Sequence, residues 1–501
     1  MEEKITQLKS ILAEVADLNG AAGILGWDQQ VNMPPGGAKA RGQQLGTLRS
    51  IAHQKFTSKE VGKLLDDLQS QIETLDPDSN DARLVKVARR RYEKQTRVPK
   101  EYIVELSQIT SVAHHVWQQA RKENDFELFR STLEKIVELR QRYAGFFAPF
   151  DHVYDPLLDD FEPGLKTHEV QAIFAILRDQ QSELIREISQ KPVTDDSFLH
   201  QSFDEKKQWD FGVEVITHFG YDWERGRQDR SAHPFTSSSS RDDVRITTRF
   251  MPDFLNPALF ATMHEAGHAL YNQGIDPALS RSPLTGGASL AVHESQSRMW
   301  ENLVGRSLPF WEFFYPRLQE VFPDQLGKVD LVSFYKAVNK VQPSLIRVEA
   351  DEATYNLHIM LRLELEIALM DGSLAVKDLP EAWNTRMEKF LGITPPTDSE
   401  GVLQDVHWSG GMIGYFSTYA LGNLVSTQFW ECVNKEIPNL SEKIRNGEFS
   451  SLLGWLRTNI HQHGAKFEPQ ELVQKITGSK IDPAPYMRYL RAKFGSIYGL
   501  G

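Results

Sequence analysis

Apolar residues recur at intervals of three and four positions through most of the 501-residue sequence, a spacing that predicts amphipathic α-helices. The pattern is clearest from Leu128 to Phe146 and from Leu345 to Met370, where one apolar stripe runs for many turns. Such a stripe normally forms part of a hydrophobic core. Neither a repeat of fixed period nor a long linker divides the chain. The sequence therefore predicts one large all-α domain that spans residues 1–501.

Two short segments interrupt the helical pattern. Thr236–Ser240 is a run of small polar residues, which we expect to form a short mobile loop. The residues from Asp243 to Phe250 then alternate between polar and apolar types, and this period of two predicts a half-buried strand. Asp243, Arg245 and Thr247 lie side by side on its polar face. We therefore expect a small β-element within the helical fold.

Charge and cysteine content restrict what the chain binds. Lys and Arg number 56 against 68 Asp and Glu, and 56 − 68 gives a formal net charge of −12. This balance disfavours nucleic acid or an anionic membrane as the main partner, because both attract positive charge. The single cysteine, Cys432, excludes an internal disulfide and a metal site built from several thiolates. With no secretory signal after Met1 and no apolar run of about 18 residues, we predict a cytoplasmic protein without a membrane partner.

The strongest local signal is the sequence HEAGH at His264–His268, which fits the pattern H-E-x-x-H. Residues suited to starting and ending a helix flank it, so we expect a helix over about residues 257–272. On a helix, His264 and His268 lie one turn apart on the same face and can reach one metal ion. Glu265 lies about 100° around the helix, beside the ion, where a general base is needed.

A metal ion at this motif needs another protein ligand, which must be His, Asp or Glu because thiolates are lacking. The strongest candidate is Glu294, which lies 26 residues after His268 in a second helical pattern. Glu301 on the same pattern is not excluded by its spacing. Gly267 costs about 1 kcal/mol in mid-helix, which indicates close approach by another element. Antiparallel packing of the two helices, across the loop of residues 280–287, would aim Glu294 at both imidazoles.

The predicted site has a defined chemistry. A bound ion acts as a Lewis acid and lowers the pKa of its water towards about 7. Glu265 then takes the proton from this water and delivers it to the departing amine. Zinc is the expected metal, although the same ligands also suit cobalt. In this interpretation residues of about 231–501 form the catalytic half, and residues of about 1–230 form its helical cover.

Six sequence motifs follow in one order along the last 270 or so residues. They are HPF (His233, Pro234, Phe235), DxRxT (Asp243, Arg245, Thr247), HExxH (His264, Glu265, His268), HESQ (His293, Glu294, Ser295, Gln296), IRxxAD (Ile346, Arg347, Ala350, Asp351) and GxxQDxHW (Gly401, Gln404, Asp405, His407, Trp408). In order and spacing the set resembles the carboxypeptidase Taq family of zinc metallocarboxypeptidases, in which the third HESQ position varies. The N-terminal half matches more loosely, through Trp27–Gln30 and Met33–Pro34.

The resemblance implies a C-terminal exopeptidase that removes amino acids singly and tolerates many side chains. It also implies a zincin-like, mostly helical fold with a small β-sheet next to the active-site groove, N-terminal helices over that groove, and a homodimer. Carried over to the matching positions, it makes His264, His268 and Glu294 the ligands of one zinc ion and Glu265 the catalytic residue.

The remaining motif residues are predicted to bind the peptide substrate. Arginine can make two hydrogen bonds to a carboxylate, so Arg347 and Arg245 are candidates for the free C-terminus. The alternatives are an ion pair of Arg347 with Asp351 on one helix and a surface position for Arg245. The predicted strand could pair with an extended peptide, and His233 and His407 could contact peptide carbonyls.

Tyr415 and Tyr419 are candidates for the donor to the developing oxyanion, because related zinc peptidases carry tyrosines in a similar downstream stretch. They are four residues apart and would share one helix face, although an aromatic core face explains the spacing equally well. Two functional alternatives also stay open. The same ligands would serve a zinc endopeptidase, oligopeptidase or dipeptidase, and a non-catalytic helical peptide-binding scaffold could hold zinc without turnover.

Overall fold

The computed structural model describes residues 1–500, which form mainly α-helices and one small β-sheet. The helices are α1 (Glu2–Val31), α2 (Ala38–Phe56), α3 (Lys59–Gln69), α4 (Asn80–Arg97), α5 (Lys100–Glu123), α6 (Glu127–Gly145), α7 (Asp155–Leu158), α8 (Thr167–Ser189), α9 (Glu205–Phe219), α10 (Asn256–Gly274), α11 (Leu290–Arg298), α12 (Leu308–Val321), α13 (Pro323–Leu326), α14 (Leu331–Val338), α15 (Tyr355–Asp371), α16 (Leu379–Leu391), α17 (Ser417–Glu436), α18 (Leu440–Arg445), α19 (Ser450–Asn459), α20 (Pro469–Thr477) and α21 (Ala484–Tyr498). The strands are β1 (Gly226–Arg230), β2 (Thr236–Ser240) and β3 (Asp243–Thr248). The predicted helical fold with a small sheet is confirmed. Within residues 1–500 no helix is both long and apolar enough to cross a bilayer.

Two hydrophobic cores organise the helices. The larger core collects buried side chains from Ala113 to Ile497 and includes the inner faces of α10, α11 and α17. The smaller core joins α1, α3 and α4 to the loop between α10 and α11, through Ile275, Leu279 and Leu284. The N-terminal helices are therefore packed directly on the loop that connects the two helices of the predicted metal site.

The sheet has the strand order β1-β3-β2, with β1 parallel and β2 antiparallel to the central strand. Val244 and Ile246 of β3 are buried in the larger core, as the period of two predicts. On the opposite face, the ring of Trp27 from α1 lies 4.4 Å from the guanidinium of Arg245 and 4.9 Å from that of Arg227. The sheet is thus enclosed between α1 and the helical core.

The structure corrects the prediction for the serine-rich segment. Thr236–Ser240 is strand β2 and pairs with β3, with Thr236 opposite Ile246. It was expected to be a loop because its side chains are small and polar, but the partner strand supplies the backbone hydrogen bonds. Since β3 pairs on both sides, it cannot pair with a peptide as predicted. The edge strand β2 lies beside α10, and α1 packs against it, since a Cβ atom on Gly20 would lie 2.9 Å from the carbonyl oxygen of Ser239.

A second correction concerns the predicted helix from Leu345 to Met370. The α-helix begins only at Tyr355, and the residues before it form a 3₁₀ turn at Arg347–Glu349 and an irregular segment. The carboxylate of Asp351 accepts the backbone N–H groups of Ala353, at 2.9 Å, and Thr354, at 3.0 Å. Because these bonds replace helical ones, the apolar stripe continues across a break in the helix.

Candidate metal centre

Helices α10 and α11 position the predicted metal ligands, as their sequence patterns indicate. His264 and His268 lie on α10, and Glu294 lies on α11, which continues through a π-helical turn at Met299–Val304. The two helices approach closely at Gly267. A Cβ atom there would lie 2.6 Å from Cα of Ser297 in α11. The glycine is therefore required for this approach, as the sequence predicted.

Three side chains converge at the contact between the two helices. Nε2 of His264 and Nε2 of His268 each lie 3.6 Å from Oε2 of Glu294. One candidate ligand atom from each residue lies within 4.8 Å of the other two. Two ligand atoms of one tetrahedral ion, with bonds of about 2 Å, stand roughly 3.3 Å apart. The space between the three side chains therefore has the size of a small divalent cation.

The other polar atoms of these side chains are bound from outside. Nδ1 of His264 lies 2.9 Å from the carboxylate of Glu301, and Nδ1 of His268 lies 3.1 Å from the carbonyl of His293. Arg298 donates from Nε to Oε1 of Glu294 at 2.7 Å. When each imidazole carries its proton on Nδ1, both Nε2 lone pairs face Oε2 of Glu294 and are available to an ion. Glu301, which spacing left open as third ligand, contacts the outer side of an imidazole instead.

Electrostatics keep the carboxylates of this group ionised, and against the effect of burial Glu294 and Glu301 raise the pKa of His264. Burial alone would raise the pKa of Glu294, but the positive charges of Arg298 and of protonated His264 overcome it and hold this pKa well below its usual range. Burial opposes ionisation of Glu301 as well, yet Arg298 and His264 lower its pKa to about 2. Burial and the neighbouring His268 lower the pKa of His293 far below that of free imidazole. Both carboxylates are therefore ionised at neutral pH.

Glu265 is buried beside this group and has a partner that the sequence did not reveal. Thr236 of β2 donates its hydroxyl to Oε2 of Glu265 at 2.6 Å, and the same hydroxyl lies 3.0 Å from the main-chain carbonyl of Glu265. Among residues 1–500, Thr236 is the side chain that hydrogen-bonds this carboxylate. The edge strand therefore fixes the orientation of the predicted base.

The IRxxAD and GxxQDxHW motifs meet in one buried network. Arg347 donates to Oδ1 of Asp405 from Nε at 3.0 Å and from the terminal nitrogen Nη2 at 2.8 Å. Arg362 donates to Oδ2 of Asp405, at 2.7 Å, and to the side chain of Gln404, at 2.8 Å. The alternative considered for Arg347, an ion pair with Asp351 on one helix, is absent from this network, because the helix that would align them does not form.

Trp408 and its neighbourhood are anchored by a buried acid. Glu366 is fully buried and accepts three hydrogen bonds, from Trp408 Nε1 at 2.8 Å, the Tyr154 hydroxyl at 2.7 Å and the Gly414 amide at 2.9 Å. Burial raises the pKa of Glu366 to about 7. Because Trp408 itself is only 3% exposed, it holds the loop before Tyr415 rather than lying open to a substrate.

The HPF and DxRxT motifs also contact each other. Thr247 is fully buried, and its hydroxyl accepts the amide of Phe235 at 2.9 Å. Arg245 makes a bidentate pair with Asp243, at 2.7 and 2.9 Å. His233 is exposed, and Pro234 beside it is partly exposed. Thr247 thus fixes the position of the HPF segment, while the arginine is held by its own strand.

The remaining predicted residues divide into two groups. His293 and Gln296 lie behind the three converging side chains, where Nδ1 of His293 is 2.6 Å from Nδ1 of His268 and fully buried Gln296 contacts His461 at 2.9 Å. The hydroxyls of Tyr415 and Tyr419 are 3.4 Å apart, and the rings of His407 and Tyr415 are 5.4 Å apart. Burial raises the pKa of Tyr415 and lowers that of His407 to about 4. Both are therefore neutral at pH 7.

Several residues that support the site were not predicted from the sequence, and only Gly422 could have been recognised there. Gly422 of α17 lies against Glu294, where a Cβ atom would be 2.6 Å from Cβ of the glutamate, and a glycine inside a helical pattern is a recognisable sign. Arg298 and Thr236 carry no such sign. Tyr355 links the two arginines, since its hydroxyl accepts from Arg347 at 3.1 Å and its ring lies 4.6 Å from the guanidinium of Arg298.

Comparison with known proteins decides the family. The sequence profile described as carboxypeptidase Taq (M32) metallopeptidase matches residues 7–494. The chain belongs to this family. Thermostable carboxypeptidase 1 of Thermus thermophilus is 42% identical over 498 residues, and carboxypeptidase 1 of Bacillus subtilis is 36% identical over 495 residues. Each alignment covers 97% of this chain and 97% of the relative.

Solved structures of other carboxypeptidases agree with the fold. The M32 carboxypeptidase from Deinococcus radiodurans R1 superposes with a TM-score of 0.97 at 41% identity, over 99% of this chain and all of the other. Trypanosoma cruzi metallocarboxypeptidase 1 superposes with a TM-score of 0.94 at 32% identity, over 99% of this chain. Membership in the M32 family makes this protein a metallocarboxypeptidase, which confirms the predicted enzyme class and the need for a metal.

Proposed function

We propose that this metallocarboxypeptidase holds one zinc ion between His264, His268 and Glu294 and releases single amino acids from peptide C-termini with broad specificity. The observation that carries the proposal is the position of three ligand atoms that face one another. The two Nε2 atoms lie 3.6 Å from Oε2 of Glu294, while the outer atoms of the same side chains already have partners. Two imidazoles and one carboxylate suit zinc and also accept cobalt.

When bound, zinc supplies a Lewis acid that activates water and polarises the scissile carbonyl. Glu265, adjacent to His264 on α10, accepts the proton of the attacking water and then transfers it to the departing amine. Thr236 keeps one carboxylate oxygen of Glu265 occupied, which leaves the other oxygen for this proton. Tyr415 and Tyr419, which are protonated at neutral pH, are the proposed donors to the developing oxyanion.

Arg347 is the proposed receptor for the substrate's terminal carboxylate, and Arg245 is the second candidate. Arg347 contacts Tyr355, whose ring packs on Arg298, and Arg298 in turn holds Glu294. This chain of contacts places Arg347 two side chains away from the proposed ligands. We expect Arg347→Lys to raise KM for a free-acid peptide at least tenfold, because lysine cannot make the bidentate contact. A similar effect from Arg245→Lys alone would favour the second candidate.

One experiment tests the reaction itself. A short peptide with a free C-terminus is digested with the zinc-loaded protein, and the products are followed by mass spectrometry with time. We expect losses of one residue at a time from the C-terminus, and we expect a chelator to stop them. The same peptide with an amidated C-terminus should be resistant. Equal cleavage of both forms would instead indicate an endopeptidase.

A variant separates the base from the metal ligands. Glu265→Gln should bind zinc with the wild-type stoichiometry and lose nearly all turnover, since only the proton acceptor is removed. His264→Ala should lose the ion as well, which elemental analysis of purified protein measures. Substantial turnover by Glu265→Gln would contradict the proposed mechanism. A homodimer and a cytoplasmic location complete the proposal, and sedimentation equilibrium and cell fractionation test them.

A further inference from the structure

One segment of the N-terminal half lies against the candidate metal centre. Residues 154–162 connect α6 to α8 and include the short helix α7. Leu157 and Glu162 of this segment are buried, and Phe161 is half-buried. The segment contacts the first turn of α11 at one point and the loop that carries Tyr415 at another, so it connects two sides of the site.

Glu162 joins the segment to α11. The residue is only 1% exposed, and its Oε1 accepts the amide of Ala291 at 2.6 Å. The carbonyl of Phe161 accepts the amide of Leu290 at 3.4 Å. Both amides belong to the first turn of α11, where a helix has no carbonyls of its own to bind them. Because Glu294 follows about one turn later, these bonds hold the segment at a fixed position relative to the proposed ligand.

Phe161 packs on the ring of Tyr415. The two ring centroids are 5.3 Å apart and the ring planes are at 88°, the edge-to-face geometry that aromatic pairs favour. The backbone before Tyr415 is equally close, since a Cβ atom on Gly414 would lie 2.5 Å from the carbonyl oxygen of Leu157. Both the ring and the backbone of this loop therefore rest on the segment.

The hydroxyl of Tyr415 needs a defined position if it is to donate to an oxyanion. It lies 3.4 Å from the hydroxyl of Tyr419. Burial raises the pKa of Tyr415 and the charge of Glu294 adds to this shift, so the hydroxyl is within electrostatic range of the proposed ligand. A rotation of about 10° about the Cα–Cβ bond would move the hydroxyl by roughly 1 Å. A displacement of about 1 Å can lower a rate about 100-fold.

We propose that Phe161 is a positioning residue, which fixes the hydroxyl of Tyr415 relative to the metal ligands, and that Glu162 supports it by holding the segment on α11. The inference rests on the proposed function, because it takes Tyr415 as a donor to the oxyanion. It gives the N-terminal half a part in the reaction beyond covering the groove.

A double-mutant cycle tests whether Phe161 acts through Tyr415. The values of kcat and KM are measured for the zinc-loaded proteins on a short peptide with a free C-terminus. We expect Phe161→Ala to lower kcat about 10- to 100-fold and to change KM less than about threefold, and Tyr415→Phe to lower kcat about 100-fold or more. The double variant should have a kcat within about twofold of that of Tyr415→Phe, because no hydroxyl is left to position.

The chain offers a matched control. Phe146, where α6 ends, forms a second edge-to-face pair with Tyr102 of α5, at 5.3 Å and 82°. Phe146→Ala removes a comparable contact and should leave kcat within about twofold of the wild type. Phe161→Leu keeps part of the contact, so its kcat should lie between those of Phe161→Ala and the wild type. Zinc affinity, measured by competition with a chelator, should be unchanged in all three variants.

Glu162 is tested through its hydrogen bond to Ala291. Glu162→Gln keeps an oxygen for this amide and should retain most of kcat, whereas Glu162→Leu removes the acceptor and should lower kcat at least as much as Phe161→Ala. Equal losses in the two variants would refute the role of this bond. If Glu162→Leu does not fold, the Phe161 variants decide the matter without it.

The possible results separate this inference from the proposed function. The inference alone is overturned if Phe161→Ala keeps the wild-type kcat, or if it lowers kcat by the same factor with and without the hydroxyl of Tyr415. A wild-type kcat in Tyr415→Phe would refute both the donor assignment and the inference. Equal cleavage of an amidated peptide, together with a non-additive cycle, would refute C-terminal trimming and leave the positioning role standing.

Discussion

Replacing Gly422 by alanine tests whether α17 sets the position of the proposed ligand Glu294. The new methyl group would lie 2.6 Å from both Cβ and Cγ of the glutamate, whereas ordinary contacts begin near 3.4 Å. Glu294 or α17 must therefore move by about 0.8 Å. Metal–ligand distances tolerate only about 0.2 Å of deviation. We expect the dissociation constant for zinc to rise about 10- to 100-fold, or about 1.4–2.8 kcal/mol.

The matched control is Gly454→Ala in α19, where the added methyl group meets nothing within 4 Å. This variant should bind zinc like the wild type and gain up to about 1 kcal/mol of stability from helix propensity. Zinc affinity is measured by competition with a chromophoric chelator, and apo-protein stability by urea unfolding. Unchanged zinc affinity in Gly422→Ala, with a folded protein, would refute the proposed role of Glu294 as a ligand.

Three further variants probe the residues that support the site. Thr236→Val removes the hydroxyl that donates to Glu265, so kcat should fall about 10- to 100-fold while KM changes little. Thr236→Ser keeps a hydroxyl and should restore kcat, whereas a wild-type kcat in Thr236→Val would contradict the proposed role of Thr236. Arg298→Met leaves Oε1 of Glu294 without its hydrogen-bond donor and should weaken zinc binding about 10- to 100-fold in the same chelator assay. An unaltered zinc affinity would contradict the proposed support of Glu294 by Arg298. The pKa of Glu366 lies near 7 instead of 4.5, so its contribution to the free energy of unfolding should decline as pH rises between these values. Urea unfolding of Glu366→Gln should therefore differ less between pH 5 and pH 7 than that of the wild type, and an undiminished difference would disprove the assignment.

Local patterns predicted those parts of the fold that local interactions determine. Helix α10 occupies Asn256–Gly274 as expected from its flanking residues, and α6 matches the prediction for residues 128–146. Both helices satisfy their own backbone hydrogen bonds. The close approach of another element to α10 could be predicted as well, because a glycine at position 267 lowers the stability of the helix and a close contact compensates for that loss.

Predictions failed where a distant partner decided the structure. Strand β2 depends on β3 for its hydrogen bonds, and its serines gave no alternation to read. The break before α15 depends on the side chain of Asp351, which competes with the helix for backbone amides, so periodicity alone overlooked it. The apolar stripe continued through the break because both segments face the same core.

The same distinction applies to the candidate site. His264, Glu265 and His268 were placed by spacing along one helix, and Glu294 by its place on a second helical pattern. Thr236, Arg298 and Tyr355 support these residues through contacts between elements. Their residue types are common on any surface, so their roles follow only from the folded arrangement.

The smaller hydrophobic core has a consequence for dynamics. Ile275, Leu279 and Leu284 lie between the two helices of the candidate metal centre, yet they pack with α1, α3 and α4. An ion that binds to both α10 and α11 should therefore also stabilise the N-terminal helices against local unfolding. Because such coupling is reciprocal, local unfolding of these helices should lower the affinity for the ion. Amide hydrogen exchange in α1, α3 and α4 should accordingly slow down when zinc is added, although none of these helices touches it.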